Sequence, residues 1–389
     1  MTEKLFYNDP YICEAQCKVI DVIQKKDTYE IVLDKTPFFP EGGGQLSDKG
    51  YIDDIKVDYV YEKDDLIYHI TKVKPQNNTV KCIVDFHRRF DLTQQHSGEH
   101  LISAAFYKLY NAKNAGFHLG DEYLTVDIEI HDITKDMIAE VEKQANSYVF
   151  QNKPVNTYFL QKEEALKLPL RKEIKASGNI RMVVMGDGLD YSACCGTHVK
   201  NTSEVGIIKI IKYEKYKGMT RVYAKCGVRA LKDYQIKHEY VTDIAKLFSV
   251  EQSGIVNKVQ KQKADILELK KQINSMYSKM AVKEADELIK RSNSNIITDR
   301  YIDEGFEYLD KIYENLKDKK YIILLSSLKD KKILLAQNGE FSMDCGKLFK
   351  ENLKEFQGKG GGNKKRAQAS FQNENSLKEF ENWLEKKII

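Results

Sequence analysis

The sequence predicts a mixed α+β fold that is built from four consecutive parts. Short segments of β-branched and aromatic residues, separated by turns rich in Lys, Asp and Gly, indicate a small N-terminal β-barrel-like domain. Farther along, apolar residues recur every seven positions, which is typical of a helical arm or coiled coil. We therefore predict a β-barrel-like domain, an α+β domain, a helical arm and a small C-terminal α/β domain, over residues 1–90, 91–235, 236–290 and 291–389.

Composition narrows the class of protein. The chain has 389 residues with 62 basic and 58 acidic side chains. Its net charge of +4 is too small to indicate a general affinity for nucleic acid. No apolar run is long enough to span a bilayer, and the first residues lack a signal-peptide pattern, which predicts a cytoplasmic protein. The seven cysteines, an odd number, favour reduced thiols or metal ligands over a disulfide framework.

The N-terminal part contains a glycine-rich loop between predicted strands. Gly42, Gly43 and Gly44 are consecutive and are flanked by Phe, Glu, Gln and Asp, so they can bring backbone close to a ligand. No Lys-Ser/Thr follows them, which excludes a Walker A loop, and a tight β-turn explains them equally well. The strands predicted around this loop are 18–23, 29–33, 51–60, 66–70 and 80–84.

The stretch 94–106, QQHSGEHLISAAF, predicts a helix that begins after a cap at Asp91 or Thr93. His96 and His100 are four residues apart, so their imidazoles project from the same face. Such a pair is a common half of a metal site. One buried and one surface histidine on an ordinary amphipathic helix is the alternative.

A second pair completes a set of metal ligands. Cys194 and His198 are also four residues apart, around a glycine turn, and with His96 and His100 they offer three nitrogens and one thiolate. This set suits a single tetrahedral Zn²⁺ per chain. Cys195 is an alternative or additional ligand. Cys13 and Cys17 are predicted to be ordinary thiols.

The same helix also fits the pattern of a different enzyme class. His96, Glu99 and His100 match the inverted zinc-protease motif His-x-x-Glu-His, in which the glutamate activates a metal-bound water. Those sites take a carboxylate as third ligand. Here Cys194 and His198 would raise the number of protein ligands to four and leave no position for water. A zinc peptidase stays an alternative at this point.

Two features near the C-terminus suggest interaction surfaces. Two rows of seam positions repeat every seven residues and predict a coiled-coil arm, although an amphipathic helix packed on its own domain is the alternative. The segment 358–368, GKGGGNKKRAQ, combines glycines with bases that can approach a phosphate backbone. The seam residues are Ile255, Gln262, Leu269 and Met276, and Val259, Ile266, Ile273 and Met280.

Four motifs together resemble the editing domain of alanyl-tRNA synthetase and, more closely, the free-standing AlaX-type alanyl-tRNA editing proteins. They read TPFFPEGGGQLSDKG, QQHSGEHLISAAF, GFHLG and DYSACCGTHV, at 36–50, 94–106, 116–120 and 190–199. The heptad segment and GKGGGNKKRAQ are similar to the C-terminal DHHA1-type domain of the synthetase and of the long AlaX form. No class II aminoacylation domain precedes these motifs, so we expect no ATP-dependent charging.

The resemblance implies a function and a set of site residues. His96, His100, Cys194 and His198 match the family's zinc ligands, although the family usually has Gly where this chain has Cys195. The implied reaction is hydrolysis of the ester in mischarged tRNA(Ala), charged with serine or glycine. Residues that match the aminoacyl pocket are Thr36 and Gln45, with Gly42, Gly43 and Gly44 as backbone donors.

Several roles remain open from the residues alone. Glu99 and Asp187 are both candidate proton acceptors, and no catalytic base is assigned. Alternatives to the editing hydrolase are a tRNA-binding protein with purely structural zinc and the zinc peptidase. We also predict a homodimer that forms through the helical arm or the C-terminal domain. The basic residues predicted to contact tRNA phosphates are Lys359, Lys364, Lys365 and Arg366.

Overall fold

The computed structural model describes residues 1–171, 173–174, 178–339 and 341–388. The chain divides into two compact units, Met1–Asp243 and Ile244–Ile389. Helices and sheets alternate in both units, which confirms the predicted mixed α+β class. Within these described ranges, no helix combines the length and the apolar character that crossing a bilayer would need.

The first unit begins with strands that pair in a closed ring. The ring order is β2-β3-β7-β6-β5-β8, and the short strands β1 and β4 pair in parallel beside it. Alternate side chains fill the inside of the ring, among them Ile31, Val57 and Val80. The elements are β1 Glu3–Lys4, α1 Leu5–Asn8, β2 Glu14–Gln24, β3 Tyr29–Leu33, β4 Lys35–Thr36, β5 Gly50–Ile52, β6 Ile55–Lys63, β7 Leu66–Thr71 and β8 Thr79–Val84.

One predicted strand of this region is wrong. The run predicted as a single strand over 51–60 is two antiparallel strands, β5 and β6, which pair Ile52 with Ile55. The chain turns at Asp53, whose φ of 51° lies in the left-handed region that Asp tolerates in tight turns. Hydrophobic alternation continues on both sides of the turn and therefore conceals it.

The rest of the first unit packs helices against two antiparallel sheets. Their strand orders are β14-β15-β10-β9 and β11-β12-β13. The buried helix α2 lies in the main core together with α3 and strands β10 and β15. The elements are α2 Phe86–Tyr110, β9 Asn114–Leu119, β10 Leu124–Ile128, α3 Lys135–Phe150, β11 Val155–Gln161, α4 Lys162–Ala165, β12 Asn179–Met185, β13 Asp190–Ala193, β14 Ile208–Tyr216 and β15 Met219–Cys226.

Helix α2 begins earlier than the sequence predicts. Its N-cap is Asp85, whose side chain accepts a hydrogen bond from the Arg88 N–H, and not Asp91 or Thr93. Arg89 lies inside the added turns, fully buried and ion-paired with Asp48. A buried arginine does not look like part of an apolar helix face, which is why the pattern misses this start.

The second unit carries a five-stranded sheet with the order β16-β17-β18-β20-β19. Strand β16 runs parallel to β17 and the other pairs are antiparallel. The helix α5 crosses the boundary between the units. The elements are α5 Gly227–Phe248, α6 Ile255–Arg291, β16 Ile296–Tyr301, α7 Phe306–Leu316, β17 Ile322–Ser327, β18 Lys332–Gln337, α8 Cys345–Asn352, β19 Lys359–Gly362, β20 Arg366–Ser370 and α9 Glu374–Ile388.

The heptad segment lies within the single long helix α6. Its C-terminal end packs on α7 through residues such as Ala281, Ala285 and Leu288, which are buried. Before that end, Ile255 is half-buried and the other seam residues are exposed; Ile273, for example, is 52% exposed. Self-association through the seam stays a prediction.

Candidate metal centre

Four side chains from distant parts of the sequence form one compact cluster. His96 and His100 lie on neighbouring turns of α2, and Cys194 and His198 lie in the loop that follows β13. Their candidate ligand atoms all lie within 4.8 Å of one another. The Cys194 Sγ is 3.3 Å from the Nε2 atoms of both His96 and His198. This donor set and spacing fit a tetrahedral zinc ion.

Each histidine of the cluster is held by a hydrogen bond at its other ring nitrogen. An acceptor at Nδ1 keeps the ring proton there and leaves the Nε2 lone pair for a metal ion. A site prepared in this way binds metal more tightly than freely rotating rings would. The contacts are His96 Nδ1 to Gln45 Oε1 at 2.8 Å, His100 Nδ1 to Asp190 Oδ2 at 2.8 Å, and His198 Nδ1 to Ser97 Oγ at 3.2 Å.

Asp190, which orients His100, is itself fixed by a buried ion pair. Arg171 Nε donates to Asp190 Oδ1 at 2.7 Å, and the Ser192 hydroxyl donates to Oδ2 at 2.7 Å. Burial opposes ionisation of Asp190, but Arg171 and His100 hold the pKa of this carboxyl well below its usual range. The carboxylate therefore stays charged as an acceptor for His100.

The cysteine of the cluster is electrostatically prepared to bind a metal. Burial disfavours its charged form, but the imidazoles of His96 and His198 hold the pKa of the Cys194 thiol well below its ordinary value. The thiolate is the form that ligates metal ions. Cys195 lies outside the cluster, is exposed, and contacts the Tyr7 hydroxyl. The fold thus places the sulfur of Cys194, and not that of Cys195, beside the three histidines.

The loop that carries Cys194 and His198 packs very tightly against α2. A Cβ on Gly196 would lie 2.1 Å from the His96 ring, so only glycine fits between the two ligand pairs. From the other side, Arg181 Nη1 donates to the carbonyls of Cys194 and Gly196 at 2.8 and 2.9 Å. The loop is therefore held between the helix and strand β12.

Known proteins resemble this chain along nearly its whole length. The alanyl-tRNA editing protein AlaX-L of Pyrococcus horikoshii is 33% identical over 384 residues, which cover 93% of this chain and 93% of that protein. The chain belongs to the AlaX-L family of alanyl-tRNA editing proteins. The resemblance to AlaX-type proteins that the four motifs indicate is thereby confirmed.

Alanine–tRNA ligases are similar over a part of their own length. The ligase of Korarchaeum cryptofilum is 30% identical over 411 residues, and that of Methanococcus maripaludis strain C7 is 28% identical over 388 residues. The alignments cover 100% and 95% of this chain but 45% and 42% of the ligases, so the chain spans less than half of their length.

Two family descriptions match shorter segments. "Threonyl and Alanyl tRNA synthetase second additional domain" matches residues 180–223, which include Cys194 and His198. "tRNA synthetases class II (A)" matches residues 2–88, the segment of the β-strand ring. The first match thus contains the ligand loop of this AlaX-L family member.

The residues predicted to bind the aminoacyl group have different surroundings. Gln45 lies beside the cluster, where its Oε1 accepts from His96 and from the Thr197 N–H at 3.1 Å, and its Nε2 donates to Thr197 Oγ1 at 2.9 Å. Thr36 lies on β4, beside the strand ring, and is hydrogen-bonded to His69 on β7 of the ring. Both Thr36 and Gln45 are buried, and a pocket role for them stays a prediction.

The three glycines form a tight turn next to the cluster. Gly42 and Gln45 exchange backbone hydrogen bonds of 3.1 and 3.0 Å, and Gly43 and Gly44 between them have φ of 57° and 81°. Both values lie in the left-handed region that glycine adopts without strain. A Cβ on Gly44 would lie 2.8 Å from the Phe117 ring, whose centre is 5.1 Å from that of the His96 ring. The turn thus lies beside the metal ligands.

The two candidate proton acceptors lie in different environments. Glu99 is buried, and its Oε1 accepts from Ser103 Oγ at 2.6 Å and Asn114 Nδ2 at 2.5 Å. Its Oε2 is 3.9 Å from His100 Nε2. Asp187 is largely exposed and paired with Lys153. Glu99 lies at the cluster but is tied into a buried network.

The basic residues predicted to bind tRNA lie in the second unit, at strands β19 and β20. Lys359, Lys364 and Lys365 are exposed. Arg366 Nη2 instead donates to Asp310 Oδ1 at 2.5 Å, and its guanidinium lies 4.7 Å from the Tyr313 ring centre. Three of the four side chains are therefore free to meet a phosphate backbone as they stand.

Sequence reasoning missed the residues that support the cluster. Asp190 and Ser97 orient His100 and His198 directly, and Arg171 acts through Asp190. Arg181 fixes the ligand loop. The one available signal was Arg181, a charged residue inside the apolar strand NIRMVVM. The others come from loops and helix positions whose partners are set only by the fold.

Proposed function

We propose that this chain is an editing enzyme that hydrolyses the ester bond of mischarged tRNA(Ala). The observation that carries the proposal is the buried cluster of three histidines and Cys194, with every imidazole oriented, on a chain of the AlaX-L family. Burying so many polar side chains is unfavourable for folding. Such a set of preorganised ligands is therefore expected where a bound metal serves binding or chemistry.

Ser-tRNA(Ala) is the proposed main substrate, with Gly-tRNA(Ala), which lacks the serine hydroxyl, as a weaker second. A synthetase pocket built for alanine cannot strongly reject serine, because an added hydroxyl costs only modest selectivity. A second site that hydrogen-bonds the hydroxyl rejects alanine by roughly ten-thousand-fold, since its polar groups would be left unpaired. Thr36 and Gln45 are the residues that we propose for this recognition.

The backbone of the glycine turn is proposed to bind the reacting group. Gly42 and Gln45 use their N–H groups to close the turn. The N–H groups of Gly43 and Gly44 take no part in that closure, and a Cβ on Gly43 would meet no atom within 4 Å, so the turn is open on that side. These N–H groups would donate to the ester carbonyl oxygen or to the terminal adenosine.

An aminoacyl ester is already activated, so little further chemistry is required. Orientation of the ester and of one water molecule can supply most of the rate without a covalent nucleophile. When bound, zinc supplies positive charge that can polarise the ester or anchor the end of the tRNA. His96, His100, Cys194 and His198 would hold it, while Gln45 and Asp190 keep the rings in place.

The contacts of Glu99 argue against the zinc-peptidase alternative. One oxygen of this carboxylate accepts from Ser103 and Asn114, which are both buried. Moreover, Cys194 fills the position that a catalytic zinc would keep open for water. A tRNA-binding protein with structural zinc remains the alternative from the binding class.

The other parts of the chain are proposed to serve tRNA binding and assembly. We retain the four proposed domains, 1–90, 91–235, 236–290 and 291–389, with tRNA contacts from Lys359, Lys364 and Lys365. The exposed seam of α6 would pair with a second copy, since such apolar rows are unusual on a monomer. Charged tRNA is a cytoplasmic substrate, so the cytoplasm is the compartment that this function requires.

One assay tests the proposal against both alternatives. Deacylation of Ser-, Gly- and Ala-tRNA(Ala) is measured with and without chelator, for the wild type, Cys194→Ala and Glu99→Ala. We expect hydrolysis of the seryl and glycyl esters that is lost in Cys194→Ala and retained in Glu99→Ala. Loss in Glu99→Ala together with peptide cleavage by the wild type would favour the peptidase. No ester hydrolysis at all would leave the binding protein.

A further inference from the structure

A patch of aromatic and basic side chains lies on the sheet face next to the metal-ligand loop. Phe159 on β11 and Arg181 on β12 are directly opposed in the antiparallel pairing. Opposed residues project from the same face of a sheet and lie side by side. Phe159 is 55% exposed, whereas Arg181 is 8% exposed. The pair therefore joins an open aromatic ring to a buried cation.

Tyr7 joins the same patch from the N-terminal segment. Its ring centre lies 5.9 Å from that of Phe159, edge to face, and 4.7 Å from the guanidinium carbon of Arg181. We call Tyr7, Phe159 and Arg181 the aromatic–arginine surface. Since Arg181 also donates to the carbonyls of Cys194 and Gly196, this surface is continuous with the metal-ligand loop.

Among the residues that the structure describes, no carboxylate forms an ion pair with Arg181. Burial lowers the pKa of Arg181, while Cys194, Tyr7 and Cys195 act electrostatically to raise it. The guanidinium nevertheless stays charged, as arginine does in proteins. The other deeply buried arginines, Arg89 and Arg171, are each paired with an aspartate. In addition, Arg181 Nε is buried and has no hydrogen-bond partner in the described part of the chain.

Proteins that bind single-stranded nucleic acid use features of this kind. Bases stack on exposed aromatic rings whatever their sequence, and arginine pairs with phosphate oxygens. Of the groups that act on Arg181, only the Cys194 thiolate is anionic, and a metal ion bound there would take up that charge. An arriving phosphate would then supply the missing counter-charge of a costly buried cation. With a divalent ion bound, the cluster of three neutral imidazoles and one thiolate would be positive, which would add to the attraction for an anion.

We propose that the aromatic–arginine surface binds the unpaired 3′ end of the aminoacylated RNA where it enters the metal centre. A base stacks on Phe159 against Tyr7, and the phosphate next to it pairs with Arg181. This deepens the proposed function and rests on it, because the reactive ribose must reach the cluster from a strand held nearby. The surface is sequence-tolerant, so recognition of the particular tRNA lies elsewhere.

A purely structural role is the competing explanation. Arg181 does hold the ligand loop, and its replacement will disturb that loop to some extent. However, the exposed Phe159 ring fills no core and supports no ligand. Phe159 is therefore the residue that separates binding from folding.

The test measures binding of uncharged tRNA(Ala), intact or with its unpaired 3′ nucleotides removed, over a range of salt concentrations. Phe159→Ala should weaken binding of intact tRNA about tenfold and leave binding of the truncated tRNA unchanged. Phe159→Tyr should bind like the wild type. Tyr158→Ala is the matched control, because Tyr158 is 49% exposed on the same strand but points to the opposite face.

A second measurement addresses Arg181. With bound zinc measured for each variant, Arg181→Gln should reduce the slope of log affinity against log salt by about one for intact tRNA only. Equal binding of intact and truncated tRNA by the wild type, or equal effects of Phe159→Ala and Tyr158→Ala, would overturn the proposal. Deacylation of Ser-tRNA(Ala) by the wild type decides the proposed function separately, because the binding assay uses no ester.

Discussion

The hydroxyl of Thr36 on β4 lies 2.8 Å from Nε2 of His69 on β7, a strand of the N-terminal ring. His69 Nδ1 is 2.9 Å from the Ile31 carbonyl, which can only accept, so Nδ1 carries the proton and Nε2 accepts from Thr36. The Phe38 N–H donates to Thr36 Oγ1 at 3.1 Å. The hydroxyl thus has a fixed direction and one lone pair left, which a serine hydroxyl could use.

The first prediction concerns this lone pair. Thr36→Val removes the hydroxyl with little change in shape, so we expect the preference for Ser-tRNA(Ala) over Ala-tRNA(Ala) to fall by about 10- to 100-fold in kcat/KM. Thr71→Val is the matched control, since Thr71 is buried on β7, the strand that carries His69, but its hydroxyl donates to the Val73 carbonyl. An unchanged preference in Thr36→Val would remove Thr36 from substrate recognition.

The second prediction concerns pH and stability. Burial lowers the pKa of His69 to about 4, against 6.5 in an unfolded chain. Below pH 6.5 the unfolded state binds a proton that the folded state does not, so acid favours unfolding. The free energy of unfolding should fall by about 3 kcal/mol between pH 7 and 4 from this group. Denaturant titrations of the wild type and His69→Gln check it, and the same fall in both would contradict it.

The third prediction concerns metal affinity. Asp190→Asn keeps an acceptor for His100 but removes the charge that pairs with Arg171, so we expect zinc affinity to drop about 10- to 100-fold. Competition with a chelator of known affinity measures this without any activity assay. Asp187→Asn is the control, because Asp187 lies nearby in the sequence but is exposed. Equal affinities of the two variants would show that Asp190 does not support the site.

The fourth prediction concerns Glu99. Glu99→Gln keeps an oxygen for Ser103 and Asn114. The free energy of unfolding should therefore stay close to that of the wild type, and the rate of ester hydrolysis within about threefold of it. Glu99→Ala should lower the free energy of unfolding by about 1–3 kcal/mol, because Ser103 and Asn114 lose a buried acceptor. A thousandfold loss of hydrolysis in Glu99→Gln, with zinc retained, would instead identify Glu99 as the base.

The fifth prediction separates the basic residues of the second unit. Replacing Lys359, Lys364 and Lys365 by Ala should weaken tRNA binding and lower its salt slope by about one for each phosphate that is no longer neutralised. Arg366→Ala should affect binding less and stability more, since Arg366 is held by Asp310 and Tyr313. Binding at several salt concentrations, with thermal unfolding beside it, distinguishes the two effects.

The sequence was most informative where function requires fixed residue types. His96 and His100 on one helix face and Cys194 with His198 around a glycine follow from spacing, and the structure does bring these four together. The supporting residues did not follow, because Asp190 and Arg181 act through a sheet whose pairing cannot be read from spacing. Alternation of apolar residues likewise indicated strands but not the turn at Asp53, since both sides of that turn alternate.

Burial of polar residues explains the remaining differences. Thr36 and Gln45 looked like residues that face a ligand, yet both make hydrogen bonds within the fold. The early start of α2 was hidden by the buried Arg89, which is stable there only because Asp48 lies opposite. Partners of this kind lie far apart in sequence, so no local pattern reports them.

The distance between the two ligand pairs has a consequence for synthesis of the protein. His96 and Cys194 are 98 residues apart, and a bound ion would tie them into one closed loop. A growing chain can therefore hold only half of the ligand set until the segment through His198 has left the ribosome. The complete ligand set therefore forms only after that loop has emerged, so metal loading cannot precede synthesis of the chain through His198.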